Sequence, residues 1–167
     1  MAPHREGVRI RSFPAVVGRN PKILILGTLP GIASLKLTQY YGHPRNKFWE
    51  LLGAALELDL RAMPYARRLR AIKRRGVAVW DVVADARRAG SLDAAIKDER
   101  HNDVLALIRR RRIRAVFFNG RVAMTMYERR YGKPPVPAFL LPSSSPAYAS
   151  VPLKAKARGW RRLRAYL

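Results

Sequence analysis

The sequence predicts an α/β fold: a three-layer α/β/α sandwich around a central, mainly parallel, four-stranded sheet. Three observations carry that expectation. Four short apolar runs bounded by Gly, Pro or polar residues recur along the chain, as strands buried on both faces of a sheet do. Between them lie segments with apolar residues at helical spacing. Strands alternating with helices place helices on both faces of the sheet. With 167 residues the chain suits a single domain with one sizeable core. Residues 1–20 read as an N-terminal extension.

The elements follow in order. Residues 23–26 (ILIL), between Pro21-Lys22 and Gly27, read as the first strand. Residues 27–46 read as a loop. Residues 47–58 form a helix with Phe48, Leu51, Leu52, Ala55 and Leu56 on one face. Residues 65–75 form a basic helix ending near Gly76. Residues 77–83 (VAVWDVV) are the second strand, interrupted by Asp81. Ser91-Leu92-Asp93 is a loop into a short helix. Residues 102–111 form a helix with Val104, Leu105 and Ile108 inward. Residues 113–118 are the third strand, closed by Asn119-Gly120. A helix over 121–131, a Pro-rich turn over 133–137 and a fourth strand over 138–141 come next. The loop PSSSPAYAS precedes a terminal amphipathic helix over 154–167.

Charge constrains the partner. The chain has 34 Lys and Arg against 11 Asp and Glu, a net charge of +23, and a sequence pI of 11.6. Such an excess implies a polyanion, and nucleic acid is the default. A ribosomal or membrane surface would also match the charge. The chain has no cysteine, which excludes disulfides, thiolate catalysis, zinc–thiolate sites and iron–sulfur clusters. His4, His43 and His101 lie far apart with no metal-ligand spacing. No metal or cofactor is expected. The N-terminus lacks the apolar core of a signal peptide, and the apolar runs are too short to span a bilayer. The expectation is a cytoplasmic monomer with no membrane partner.

In an open parallel sheet, ligands bind beyond the carboxyl ends of the strands. Here those ends carry Gly27-Thr28-Leu29-Pro30-Gly31, Asp81, Asn119-Gly120 and Ser143-Ser144-Ser145-Pro146. Gly31 lets backbone approach a ligand closely, although most such turns are merely turns. Asn46 could cap the helix that follows it, and Phe48 and Trp49 could be core. Tyr40 and Tyr41 offer rings of the kind that stack on a base taken out of a duplex. The Ser/Pro loop could donate hydrogen bonds to phosphates or be an ordinary polar loop.

Together these segments resemble the uracil-DNA glycosylase superfamily, nearest to its mismatch-specific and hypoxanthine-DNA glycosylase branches. The mismatch-specific first motif has the form G-x-N-P-G, eleven residues, then H-P-x-N-x-F-W. This chain reads Gly27-Thr28-Leu29-Pro30-Gly31, eleven residues, then His43-Pro44-Arg45-Asn46-Lys47-Phe48-Trp49. The segments VWDVVADARRAGSLDAAI, FFNG and LPSSSPAYA are similar to the hypoxanthine branch. The resemblance runs from about Ile23 to the C-terminal helix. It departs at Leu29, where the mismatch-specific pattern has the Asn that positions water. Leu29 can neither donate nor accept a side-chain hydrogen bond.

The resemblance implies a monofunctional hydrolase of base excision repair that flips a deaminated base out of DNA and leaves an abasic site. The expected substrate is uracil, with or without hypoxanthine. Tyr41 is implied to stack on the base, with Tyr40 as second choice. Backbone N–H groups of Thr28 to Gly31 would donate to base carbonyls. Asn46, the proposed catalytic residue in the hypoxanthine branch, would position water or polarise the base. Asp81 would read the base edge or activate water, or else act as a cap. His43 would contact base or phosphate, or serve structurally. Asn119 suits a structural turn better than a base contact. Ser143, Ser144 and Ser145 would pinch phosphates, with Pro146, Ala147 and Tyr148 near the gap and Tyr148 as a wedge. Most basic runs are solvated helix faces, with some facing DNA. No lysine is marked as a Schiff-base nucleophile, so no lyase step is expected.

Two other classes compete. A noncatalytic nucleic-acid-binding module on the same fold would explain the charge and leave the His43–Trp49 spacing a coincidence. A nucleotide-processing enzyme using GTLPG as a phosphate loop would need Lys and Ser/Thr after the glycines, and both are missing.

Overall fold

A computed structural model describes residues 7–167; His4 lies outside the described residues. The strands are β1 (Val8–Arg11), β2 (Ile23–Gly27), β3 (Val77–Asp81), β4 (Val83–Arg88), β5 (Lys97–His101), β6 (Ala115–Asn119) and β7 (Ala138–Leu141). The helices are α1 (Ile32–Leu37), α2 (Phe48–Leu56), α3 (Tyr65–Arg74), α4 (Val104–Arg110), α5 (Arg121–Tyr131) and α6 (Leu153–Trp160).

The central sheet has the order β3-β2-β6-β7, and all three pairings are parallel. Every residue of β2 is buried, because helices cover both faces of this central strand. Side chains alternate across a strand, so one run feeds two cores. Ile23, Ile25, Val77, Val79 and Phe117 pack with α2, Ile72 of α3 and Trp160 of α6. Leu24, Leu26, Ala78, Val116 and Phe118 pack with α4 and α5. This is the α/β/α sandwich expected from the sequence, with a sheet that is parallel throughout.

The register aligns the carboxyl ends: Gly27 lies opposite Asp81, and Asn119 opposite Leu141. The four strands therefore stop on one edge, and the residues after them share one space.

Several elements differ from expectation. The run 77–83 is two strands in two sheets. It breaks at Val82, whose N–H donates to the Gly27 carbonyl at 2.9 Å. Beyond the break, β4 joins β1 and β5 in a small antiparallel sheet of order β1-β4-β5. Residues 8–16, read as extension, are woven into the fold: β1 pairs with β4, and Val16 bridges Val79. α1 occupies part of the expected loop. α4 starts at Val104, with Asp103 accepting from the Ala106 N–H at 3.1 Å, and buries Leu107 rather than Leu105. The terminal helix ends at Trp160 and tightens into a 3-10 turn over Arg161–Tyr166. No helix among the described residues is long and apolar enough to cross a membrane.

Candidate active site

A cavity of about 290 Å³ opens at the carboxyl edge of the main sheet. Its walls come from all four strand ends. Gly27 to Ser34 follow β2, Asp81 ends β3, Asn119 ends β6, and Ser143 to Ala147 follow β7. Tyr41, His43 and Asn46 close it from the segment before α2, and Ser91 to Asp93 from the segment after β4. The volume is near the lower bound of small-ligand sites, suited to a compact planar group.

At the floor, Gly27 permits a contact no other residue would. A Cβ there would stand 2.5 Å from the Tyr41 hydroxyl and 2.7 Å from Asp81 Oδ1. Both polar groups converge on the glycine. Asp81 is 3% exposed, and its Oδ2 has no hydrogen-bond partner among the described residues. Burial pushes its carboxyl up to about 7; the neighbouring Asp93 charge adds to the rise and Arg88 opposes it. A carboxyl so placed changes protonation near neutral pH, as acid–base catalysis requires.

Tyr41 is held in the left-handed region at φ 54°, an uncommon conformation for a bulky side chain. Its ring stacks on Phe48 at 3.8 Å with planes 9° apart, and its hydroxyl is buried without a hydrogen-bond partner among the described residues. Burial, reinforced by Asp81, raises the pKa of that hydroxyl. Phe48 covers one face of the ring.

Tyr40 departs from the role expected of it. Its ring is buried in the core against Phe13, and its hydroxyl donates to the Pro14 carbonyl at 2.9 Å. Its carbonyl takes the Trp49 indole N–H at 3.0 Å, and its N–H goes to the Tyr65 hydroxyl. Tyr40 touches the cavity wall, but its 4% exposure and its core packing make it a support for the entry to α2 rather than an open stacking face.

His43 and Asn46 line the cavity with defined polarity. His43 Nδ1 accepts from the Arg45 N–H at 3.0 Å, so the neutral ring carries its proton on Nε2. Asn46 Oδ1 accepts from the Phe48 N–H at 3.0 Å, but the cap position itself is Lys47, so Asn46 steadies the entry to α2 from one residue ahead of it. That bond fixes the amide and leaves Nδ2 as its donor group.

Leu29, beside these groups, buries its side chain with Ile10, Val83 and Ala86. Only its backbone can serve a ligand. The loop around it is braced: the Thr28 carbonyl accepts from the Val83 N–H, the Pro30 carbonyl from Arg88, and Ser91 Oγ from the Ile32 N–H. Gly31 packs at ordinary distance from Ser91.

Asn119 acts as a clamp rather than a base contact. Its Nδ2 donates to Ser144 Oγ at 2.8 Å, and its Oδ1 accepts from the Ser144 N–H at 3.0 Å. Ser144 is buried, and its carbonyl takes the Lys47 N–H at 3.0 Å. It cannot reach a phosphate, which corrects one of the three phosphate assignments. Ser143 Oγ accepts from the Ser145 N–H, and Ser145 Oγ from the Ala147 N–H. Both hydroxyls border the cavity and keep their protons to donate. Pro146 begins a 3-10 turn, Pro146–Tyr148, that leaves Ala147 exposed on the cavity wall and Tyr148 52% exposed next to it in the chain.

Sequence reasoning did not single out Asp93, Ser91 or Arg88 as site residues. Asp93 Oδ2 accepts from Thr28 Oγ1 at 3.1 Å inside the cavity. Arg88 is buried beneath, donating to the Gly90 carbonyl at 3.0 Å and to the Pro30 carbonyl, with Nη1 unpartnered among the described residues. Among the described residues no group of three or more His, Cys, Asp or Glu side chains could hold a metal.

The arrangement matches known proteins. The family model for the uracil DNA glycosylase superfamily matches residues 14–165. A hypoxanthine DNA glycosylase from Methanosarcina barkeri is 44% identical over 112 residues, 66% of this chain and 71% of that protein. One from Methanosarcina acetivorans is 43% identical over 114 residues, 68% of this chain and 72% of its own. A solution NMR structure of a candidate uracil DNA glycosylase from Methanosarcina acetivorans superposes with a TM-score of 0.80. It shares 37% identity and covers 94% of this chain and 99% of that one.

Proposed function

The chain belongs to the uracil DNA glycosylase superfamily, which makes it a DNA glycosylase, and we propose that it hydrolyses the N-glycosidic bond of deaminated bases in DNA, hypoxanthine first and uracil second. The observation that carries the reading is the buried, unpartnered Asp81 carboxyl facing a base-sized cavity at the strand ends. The two relatives named for hypoxanthine support the purine. The uracil DNA glycosylase neighbour and the His43–Trp49 spacing support uracil as the second substrate.

The chemistry assigns three tasks. An extrahelical base stacks on the Tyr41 face that Phe48 leaves uncovered. Ionised Asp81 takes a proton from a water that attacks C1′. As the C1′–O bond forms, the C1′–N bond breaks and its electron pair departs on the base. Asn46 Nδ2–H and His43 Nε2–H donate to the base as that charge grows. The proton on Asp81 then returns to the departing base. Asn46 is a poor general base, because an amide is not protonated near neutral pH, and its contribution is orientation and electrostatics. Ser143 and Ser145 hold the phosphates, and the exposed Tyr148 fills the gap in the duplex.

The test is base release from single-stranded and duplex oligonucleotides carrying one hypoxanthine or one uracil. Asp81→Ala should slow release about 10²–10⁴-fold. Asn46→Ala should slow it about 10²–10³-fold, with thermal unfolding followed because the Asn46 bond to the Phe48 N–H is also lost. Tight binding without release of either base would identify a binding module instead.

A further inference from the structure

We infer that Asp93, presented by the segment after β4 and oriented by Thr28, is the residue that tells a deaminated base from its parent. The inference rests on the glycosylase reading above and adds to it a specificity residue.

Deamination changes one feature in the same way for both bases. Adenine N1 and cytosine N3 are hydrogen-bond acceptors. In hypoxanthine N1 and in uracil N3 the same ring nitrogen carries a proton and donates. A single acceptor at that edge would admit both products and leave both parents facing it lone pair to lone pair. A carboxylate is the strongest such acceptor, because in its ionised form it cannot donate at all.

The cavity has two carboxylates, and their surroundings divide the work. Asp81 sits beside Gly27, and its unpartnered Oδ2 is the oxygen to which the glycosylase reading assigns the water. Asp93 stands on the wall formed by Ser91 to Asp93. Its Oδ2 accepts from Thr28 Oγ1, and among the described residues that is the one hydrogen bond its side chain makes. The wall cannot swing freely. Arg88 ties Gly90 on this wall to Pro30 in the facing loop, and Ser91 Oγ takes the Ile32 N–H. The Thr28 hydroxyl and the Arg88 charge both favour the ionised carboxylate, against a larger effect of burial. Asp93 is thus a braced acceptor with capacity to spare, in the cavity that also holds the unpartnered Asp81 Oδ2.

The residue lies inside the segment VWDVVADARRAGSLDAAI that resembles the hypoxanthine branch, yet the sequence reads it only as the end of a loop into a short helix. Its place depends on a contact with Thr28, 65 positions away in sequence.

The experiment compares single-turnover release of hypoxanthine, uracil and unsubstituted purine from otherwise identical oligonucleotides. Purine lacks the N1 proton and serves as the probe. Asp93→Ala should slow hypoxanthine and uracil about 100-fold and purine less than about threefold, since a polar site rejects a ligand that leaves its groups unpaired. Thr28→Val, which frees Asp93 without removing it, should lower the hypoxanthine-to-purine ratio partway at unchanged melting temperature. An equal loss on all three bases, or no loss on hypoxanthine, would overturn the assignment and leave the glycosylase reading standing. No release of any base by the unmodified protein would instead remove the reading on which the inference rests.

Discussion

The Asp81 carboxyl gives up its hydration on folding, and its Oδ2 gains no hydrogen bond in return. Raised from 3.8 to about 7, it binds a proton more tightly in the folded chain than in the unfolded one. Its contribution to stability is therefore complete below pH 3.8 and is lost as pH rises through about 7. At ~1.4 kcal/mol per unit, the loss amounts to about 4 kcal/mol. Asp81→Asn keeps the shape and never ionises. Relative to the parent chain it should gain stability as pH rises from 4 to 8, reaching about 4 kcal/mol in chemical unfolding. Base release by the parent should climb with pH to a plateau above about 7, because the ionised form is the one that accepts the water's proton. A pH-independent stability difference between variant and parent would show that Asp81 is not strained by burial. A rate that falls above pH 7 would make Asp81 an acid rather than a base.

At the scale of elements, the site depends on the link between β6 and the serine loop after β7. Asn119 spends both ends of its amide on Ser144, and Ser144 in turn holds Lys47 ahead of α2. Asn119→Ala leaves the buried Ser144 N–H and hydroxyl unsatisfied, at about 1–3 kcal/mol. It should lower the melting temperature and also weaken DNA binding, since Ser143 and Ser145 lose their brace. Unchanged melting would show the clamp to be idle. The elements that the sequence made legible are those whose burial is written locally. The run ILIL, short and bounded by Pro21 and Gly27, suits a strand buried on both faces, and the apolar stripe of α2 suits a core-facing helix. β5, with sequence KDERH, is nearly all exposed and exists through a bulged pairing with β4, so no local pattern marks it. α1 has six residues between Gly/Pro-rich turns, too short for periodicity to register. Tyr40 and Tyr41 are indistinguishable by type. Both line the cavity, and the left-handed turn at Tyr41 and the Trp49 and Tyr65 bonds on Tyr40 decide which of the two is fixed in the core. Asp93 was missed for the same reason: its partner, Thr28, is brought to it by the fold.

For the whole molecule, 11 acids cannot neutralise 34 cations. Two acids are shared between cations: Asp85 meets Arg9 and Arg100, and Glu50 meets Lys47 and Arg61, while Asp98 meets Arg87 and Glu57 meets Arg164. Some cations serve the fold itself, as Arg164 does on the Ala54 and Ala55 carbonyls and Arg68 over the Trp49 ring. Most of the excess of +23 still faces solvent, where it repels itself and attracts a polyanion. If those charges meet DNA phosphates, binding releases condensed counterions, and affinity must fall with salt on a logarithmic slope of about 0.9 per phosphate. Undamaged duplex should lose about 10³-fold or more in affinity between 50 and 200 mM salt, read by fluorescence anisotropy, given about six or more phosphate contacts. Single-turnover base release at saturating DNA should respond far less, because Asp81 and Asp93 act inside a cavity where mobile ions screen poorly. A flat affinity with a steep release rate would reverse this division and place the salt-sensitive charges at the chemistry. A steep affinity with a flat release rate would assign the surface charge to holding DNA and the buried carboxylates to reading and cutting the base.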